Sequence, residues 1–169
     1  MAARDSRGSP LLGVHSWHLV QLIEAHSEQL ARSLLEKLEH SERCRPFLEK
    51  VPREELRHRT YEVFVNLGEW LQTKTEKDIE RRYVTIGERR AAQGITLDQL
   101  ISSTMATKAH LWDYVTKQAG ADRPYEFVQE MELFHLVEQF FDRAAYFQVI
   151  GYERYHTGHR KPRTKWEGT

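Results

Sequence analysis

The apolar residues of this chain recur every three or four positions and hardly ever alternate, a spacing that gathers them on one face of a helix and leaves no half-buried strand. The nine glycines and five prolines fall mostly between such stretches, as punctuation. The pattern predicts an all-α protein. A first helix is expected over 16–40, capped by Ser16, with Leu19, Ile23, Leu30, Leu34, Leu35 and Leu38 on or near one face. Ser41 to Val51 reads as a connection. A second helix runs from Pro52 to Gln72 with the stripe Leu56, Thr60, Val63, Phe64, Leu67 and Leu71. A third starts around Lys74 to Glu76 and ends at Gly94, a residue suited to the left-handed position beyond a helix end. Thr96 and Gln99 form a capping box for a fourth, which carries Leu97, Leu100, Ile101, Leu111, Trp112 and Val115 to the break at Ala119-Gly120.

The fifth helix, capped by Asp122 with Pro124 in its first turn, meets no further glycine or proline until Gly151, which is expected to weaken it without ending it before about His156. About 35 residues at ~1.5 Å each give ~50 Å, whereas a compact domain of this length is ~40 Å across. The end of this helix should protrude, and Phe140, Phe141, Tyr146, Phe147 and Tyr152 around it point to a dimer contact or a lever.

At 169 residues the chain is expected to form one domain, over 16–157, between a flexible tail at 1–15 and a basic tail at 158–169. Lys plus Arg and Asp plus Glu both number 25, so the global positive field of a typical nucleic-acid binder is missing, and nucleic acid is not an expected partner. The basic tail, with Arg160, Lys161, Arg163 and Lys165, is the one local exception. Cys44 is a single thiol without a disulfide partner, and neither a signal peptide nor an apolar run long enough for a membrane is visible, so the expected setting is the cytoplasm.

Three Glu-x-x-His pairs, Glu55/His58, Glu132/His135 and Glu153/His156, have the spacing of a di-iron carboxylate bundle. Register argues against it, because the first two pairs fall on faces opposite the apolar stripes. His15/His18 and His156/His159 lack further ligands for a metal. No nucleophile elbow, phosphate loop, dinucleotide fingerprint or H-E-x-x-H motif occurs, so a non-enzymatic role is expected, with no cofactor or metal.

The third helix holds the most informative feature. Ile79, Tyr83, Ile86, Arg90 and Gln93 share one stripe, which turns a permanently charged guanidinium towards the core. Three outcomes are open: the stem reaches out to water, the charge pairs with a carboxylate of another helix, or it lines a pocket. The expected pocket comprises Tyr83, Ile86, Arg90, Leu111 and Trp112.

The segment Ile86-Gly87-Glu88-Arg89-Arg90-Ala91-Ala92-Gln93-Gly94-Ile95, continued by Leu97 to Trp112, resembles the centre of the N-terminal domain of RsbR-type proteins, the RsbT co-antagonists of bacterial stressosomes. Phe140-Phe141-Asp142-Arg143-Ala144 followed by Gly151-Tyr152-Glu153 is similar to that domain's last helix, and the resemblance extends over about Leu19 to Tyr155. It implies a globin-like bundle of about five to six helices with a long C-terminal helix, without haem, dimerising through its last two helices and signalling through the final one to a STAS domain or a kinase. Globin-coupled sensors share an Ile-Gly-x-x-His-x-x-x-Gly pattern in which the histidine holds haem iron. Ile86, Gly87 and Gly94 match it here, but Arg90 stands at the former proximal-ligand position, and a guanidinium has no lone pair to donate.

The resulting expectation is a homodimeric sensor module in stress signalling, with Phe134, Phe141, Ala145 and Tyr152 on the dimer and relay helix. The chain ends at Thr169, so the output domain is either a separate partner or the missing part of a longer protein. The competing reading is a haem-binding gas sensor that uses His110 or His135 as its ligand.

Overall fold

The computed structural model describes residues 12–118 and 124–159. Among these residues every regular element is a helix, with α1 Val14–Ala25, α2 Ser27–His40, α3 Arg45–Lys50, α4 Arg53–Val65, α5 Leu67–Gln72, α6 Glu76–Ala92, α7 Leu97–Gln118 and α8 Pro124–Gly158. The all-α class and the long last helix match expectation, while eight helices replace the five drawn from periodicity.

The differences have a common local cause. The expected first and second helices each break after about twelve residues, at His26 and Asn66, both of which adopt φ near −110° and ψ near 20°. His26 Nδ1 lies 2.8 Å from the Leu22 carbonyl, and Asn66 Nδ2 donates to the Glu62 carbonyl at 3.0 Å. In each case a side chain contacts the carbonyl four residues back, which competes with the helical ladder. Apolar spacing runs straight through such a break. The expected connection at 41–51 also holds α3, whose Phe47 is buried.

The first helix begins at Val14 rather than Ser16, with Gly13 in the capping position and Ser16 buried. Two residues of the supposed tail are therefore helical. The cap at Asp122 lies outside the described residues, as do 1–11 and the basic tail from Arg160.

α6 is fixed at both ends. Thr75 Oγ1 accepts from the Asp78 N–H while Asp78 Oδ2 accepts from the Thr75 N–H at 2.8 Å, a reciprocal cap written in the sequence as T-x-x-D. At the far end Gly94 takes φ 74°, the Gly94 N–H donates to the Ala91 carbonyl, and the Ile95 N–H donates to the Arg90 carbonyl. This is the left-handed closure expected of that glycine. The carbonyl of Gly94 in turn accepts from Lys50 Nζ at 2.7 Å.

The main core joins α1, α4, α5, α6, α7 and α8 through residues such as Ile23, Phe64, Leu67, Leu111, Leu133 and Phe140. Each fully buried Leu, Ile or Phe contributes about 1.5–3 kcal/mol. Smaller clusters gather Phe47, Val51, Ile95 and Leu100, and Leu34, Leu38 and Cys44.

The most intimate helix contact is between α6 and α8. A Cβ added to Gly87 would stand 2.1 Å from the Gln148 carbonyl oxygen, and one added to Gly151 would stand 2.0 Å from that of Val84. The two backbones touch with nothing between them. Gly151, expected to be a weak point, is instead a contact point, and α8 continues through it to Gly158. Beyond this contact Glu153, Arg154, His156 and Thr157 are exposed, as expected of an end that projects.

Candidate functional site

Arg90 is 2% exposed, among the most deeply buried side chains in the protein. Its Nη1 donates to Glu55 Oε1 and to Gln93 Oε1, each at 2.7 Å, and its guanidinium lies 5.6 Å from the centre of the Phe47 ring. Of the three open outcomes, pairing and cavity lining both hold. The stem does not reach out to water.

Glu55 is the hub of the cluster. Arg89 donates to it in a fork, Nε to Oε1 at 2.8 Å and Nη2 to Oε2 at 2.9 Å, and Arg59 Nε stands 3.5 Å from Oε1. Burial raises the Glu55 pKa, but the hydrogen bonds and charges of Arg89 and Arg90 outweigh it and bring it down to about 2. Burial likewise lowers the Arg90 pKa, against the raising effect of Glu55. One carboxylate thus serves several guanidinium groups in a partly water-shielded site.

This overturns the sequence expectation that Glu55 faces water. The residue does lie opposite Leu56 and Val63, but α4 is flanked on two sides: α2 packs on one, and the long side chains of α6 reach the other. His58, its i+3 neighbour, is exposed and pairs with Glu62 at 3.3 Å. With Glu55 occupied by arginines the di-iron spacing loses its meaning, and among the described residues no group of three or more His, Cys, Asp and Glu side chains is placed to hold a metal.

Beside the cluster is a partly open cavity of about 90 Å³, bordered by α2, α3, α4, α6, α7 and α8. Its walls are largely apolar, with Phe47, Ile86, Leu100 and Phe141 among them. Its polar lining includes Arg59, Arg82, Arg90, Thr104 and Gln148, and no acidic residue. Gln148, 5% exposed, accepts from Thr104 Oγ1 at 2.9 Å. Arg82 Nη2 donates to Glu62 at 3.2 Å, and its guanidinium packs over Trp70 at 5.3 Å. The Nε atoms of Arg59 and Arg82 are buried without a hydrogen-bond acceptor.

Of the expected pocket residues, Tyr83, Ile86 and Arg90 line this cavity, and burial raises the Tyr83 hydroxyl to about 12. Leu111 and Trp112 do not line it. Leu111 is fully buried in the main core, and Trp112 stands near the surface, its ring 4.8 Å from that of Phe134 and its Nε1 donating to Glu138 at 3.3 Å. Leu111 shares the face of α7 that carries Thr104 and Thr107 but stands a turn or more beyond the cavity, while Trp112 is turned aside from Ser103 and Thr107, which line it.

The expected relay residues divide in the same way. Phe134 is 42% exposed and Ala145 is half-buried. Phe141 is buried and belongs to the cavity wall, while Tyr152 is half-buried with its hydroxyl donating to the Ile95 carbonyl at 3.0 Å. Neither is a surface contact residue, and Phe140 and Phe147 are buried as well, leaving Tyr146 as the exposed aromatic of that group. An aromatic ring on a long helix signals burial somewhere, and here α6 and the core take most of it.

The sequence reading missed Glu55, Arg59, Arg82, Thr104 and Gln148 as site residues. Glu55 and Arg59 are an i, i+4 pair, Glu55 lies 35 positions from Arg90 in sequence, and only the approach of α6 to α4 joins them.

The two histidines named as haem ligands lie elsewhere. His110 is buried, with Nε2 2.9 Å from Ser33 Oγ and 3.0 Å from the Leu30 carbonyl, and burial lowers its pKa. His135 is exposed, with Nε2 2.9 Å from Gln139 Nε2. Neither lines the cavity.

Among the described residues no helix is long and apolar enough to cross a membrane. Comparison with curated proteins and with solved structures returns no match. A family model does match: the RsbT co-antagonist protein rsbRD N-terminal domain, over residues 28–158, more than three quarters of the chain and all of the residues that build the Arg90 cluster. The chain therefore belongs to the family of RsbRD N-terminal domains.

Proposed function

We propose that this protein is a haem-free, non-enzymatic sensor domain of RsbR-type stress signalling, working as a cytoplasmic homodimer that passes its state through α8 to an output partner, STAS-like or kinase. One observation carries the reading. The helix that bears Arg90 is the helix whose backbone touches α8 at Gly87 and Gly151, so a shift of α6 at the site has no soft layer to dissipate in before it reaches α8.

A haem-free site is supported by the chemistry of the residues. Arg90 is spent on Glu55 and offers iron no lone pair, both candidate histidines are engaged away from the cavity, and about 90 Å³ is well below the ~300–1,000 Å³ of ordinary ligand pockets.

Dimerisation is supported by apolar side chains on α7 and α8, where Met105, Met131 and Phe134 are exposed and the ring of Trp112 packs at a tilt against that of Phe134. Sedimentation velocity tests it. The wild-type chain should sediment as a dimer and Phe134→Asp as a folded monomer, whereas Phe141→Asp should unfold. A Phe134→Asp protein that remains dimeric removes this face from the interface, and a monomeric wild type removes the dimer.

A further inference from the structure

A second cavity, of about 250 Å³ and also partly open, stands between α5, the start of α6 and the middle of α8. It shares no lining residue with the cavity beside Arg90. Trp70 and Phe140, whose ring centres are 5.7 Å apart, form its aromatic wall. Its polar lining is Gln72, Lys74, Gln139 and Arg143, with no acid. Lys74 Nζ stands 5.7 Å from the centre of the Trp70 ring. Arg82, the other cation against that ring, is paired with Glu62, but among the described residues neither Lys74 nor Arg143 has a carboxylate within ion-pair distance. The acids close to them in sequence do not line the cavity. Asp78 serves the cap of α6, its Oδ2 accepting from the Thr75 N–H at 2.8 Å and from Thr75 Oγ1 at 2.9 Å, and Asp142 is exposed. Two cations from different helical segments therefore line one cavity with no counter-charge, an arrangement that an anion between them stabilises.

Size and charge narrow the occupant. A dry cavity of ~150 Å³ holds the six carbons of benzene, so about 250 Å³ takes roughly ten non-hydrogen atoms. Two cations and two amides match a group with about two negative charges and several acceptor oxygens. A phosphate monoester carries about −1.5 to −2 at neutral pH and three strong acceptors, whereas a monocarboxylate offers half the charge. The planar fork of Arg143 suits two phosphate oxygens, Lys74 adds a point charge, and the aromatic wall takes the carbon end. We infer that the cavity between α5, α6 and α8 is a binding site for a small organic phosphate, held by Lys74 and Arg143 with Gln72 and Gln139. Such a ligand ties the connection before α6 to α8. The site is separate from the Arg90 cluster, and its binding does not rest on the sensor reading.

The test is a titration of the full chain with sodium glycerol phosphate at constant ionic strength, read in the ¹⁵N–¹H correlation of the Trp70 indole. That signal should shift to saturation, and inorganic phosphate, which carries the same charged group, should compete. Lys74 and Arg143 are exposed, so Lys74→Gln and Arg143→Gln should each keep the wild-type helicity and weaken binding roughly tenfold or more, as expected for loss of one charge-assisted contact. If Arg143→Gln does not fold, Lys74→Gln carries the same expectation. Arg81→Gln, on the exposed face of α6, should bind as the wild type does. Absence of a saturable shift in the wild type overturns the site. Equal shifts with neutral glycerol overturn the role of the charge, equal competition by succinate overturns the assignment to phosphate, and equal loss in all three variants replaces the site by the overall charge of the surface.

Discussion

Arg90 Nη1 donates to Glu55 Oε1 at 2.7 Å, joining two side chains 35 positions apart in a place where one of them is almost wholly withdrawn from water. A buried pair of this kind adds little net stability over an apolar pair, yet loss of one partner strands the other. Glu55→Gln keeps the shape and removes the charge. It should destabilise the fold by about 3 kcal/mol and lower Tm by roughly 10 °C, measured by circular dichroism. Glu55→Gln combined with Arg90→Met should recover part of the loss. A single variant as stable as wild type contradicts the account of the cluster.

The pH dependence follows from the same carboxylate. Its pKa in the folded state, about 2, is below the 4.5 of the free side chain, so the unfolded chain takes up the proton first. The stabilisation is present in full above about 4.5 and is lost as pH falls towards 2. His110 acts earlier in the same direction: burial lowers its pKa from 6.5, so its contribution begins to decline as pH drops through that value. Urea unfolding from pH 7 to pH 3 should show stability falling with acid, and the segment below 4.5 should flatten in Glu55→Gln. Parallel wild-type and variant curves would remove Glu55 from the explanation.

The glycine contact between α6 and α8 sets two local rules against each other. Alanine is the better helix former by ~1 kcal/mol, which alone would stabilise Gly151→Ala. The added methyl group, however, meets a backbone carbonyl at 2.0 Å, and a backbone cannot rotate away as a side chain can. Gly87→Ala and Gly151→Ala should each cost ~3 kcal/mol in urea unfolding. Gly158→Ala, with open space around it, should be neutral or slightly stabilising. Equal behaviour of all three would contradict the close approach.

Haemin provides a check on the site chemistry. Titrated into the protein, it should give a broad absorption without a stoichiometric end point, and the fluorescence of Trp70, which packs against Tyr83 and Phe140, should show no saturable quenching. A sharp Soret band at one haem per chain would restore the gas-sensor reading.

The sequence was most informative where one residue fixed one geometry. Gly94 closes α6 as its position implied, Thr96 accepts the role of cap with its N–H donating to Gln99 at 3.2 Å, and Arg90 is inward. It was least informative where side chains act across distance. The break at Asn66 depends on one bond to Glu62, the exposure of Glu55 was decided by a second helix lying over α4, and Phe141 was assigned to the surface because an isolated helix has no way to show which of its faces α6 will cover. Periodicity describes a helix against one neighbour; α4 and α8 each have several.

The central claim is that the Arg90–Glu55 site and the end of α8 move as one. Nitroxide labels on Arg154→Cys, in a Cys44→Ser background, place a reporter on the exposed last turns of α8 in each protomer. Pulsed electron paramagnetic resonance then reads the separation of the two helix ends. The account predicts a single distance in the wild-type dimer and a shifted or broadened distribution in Glu55→Gln, recorded below its lowered Tm. An identical distribution in both folded dimers would contradict it.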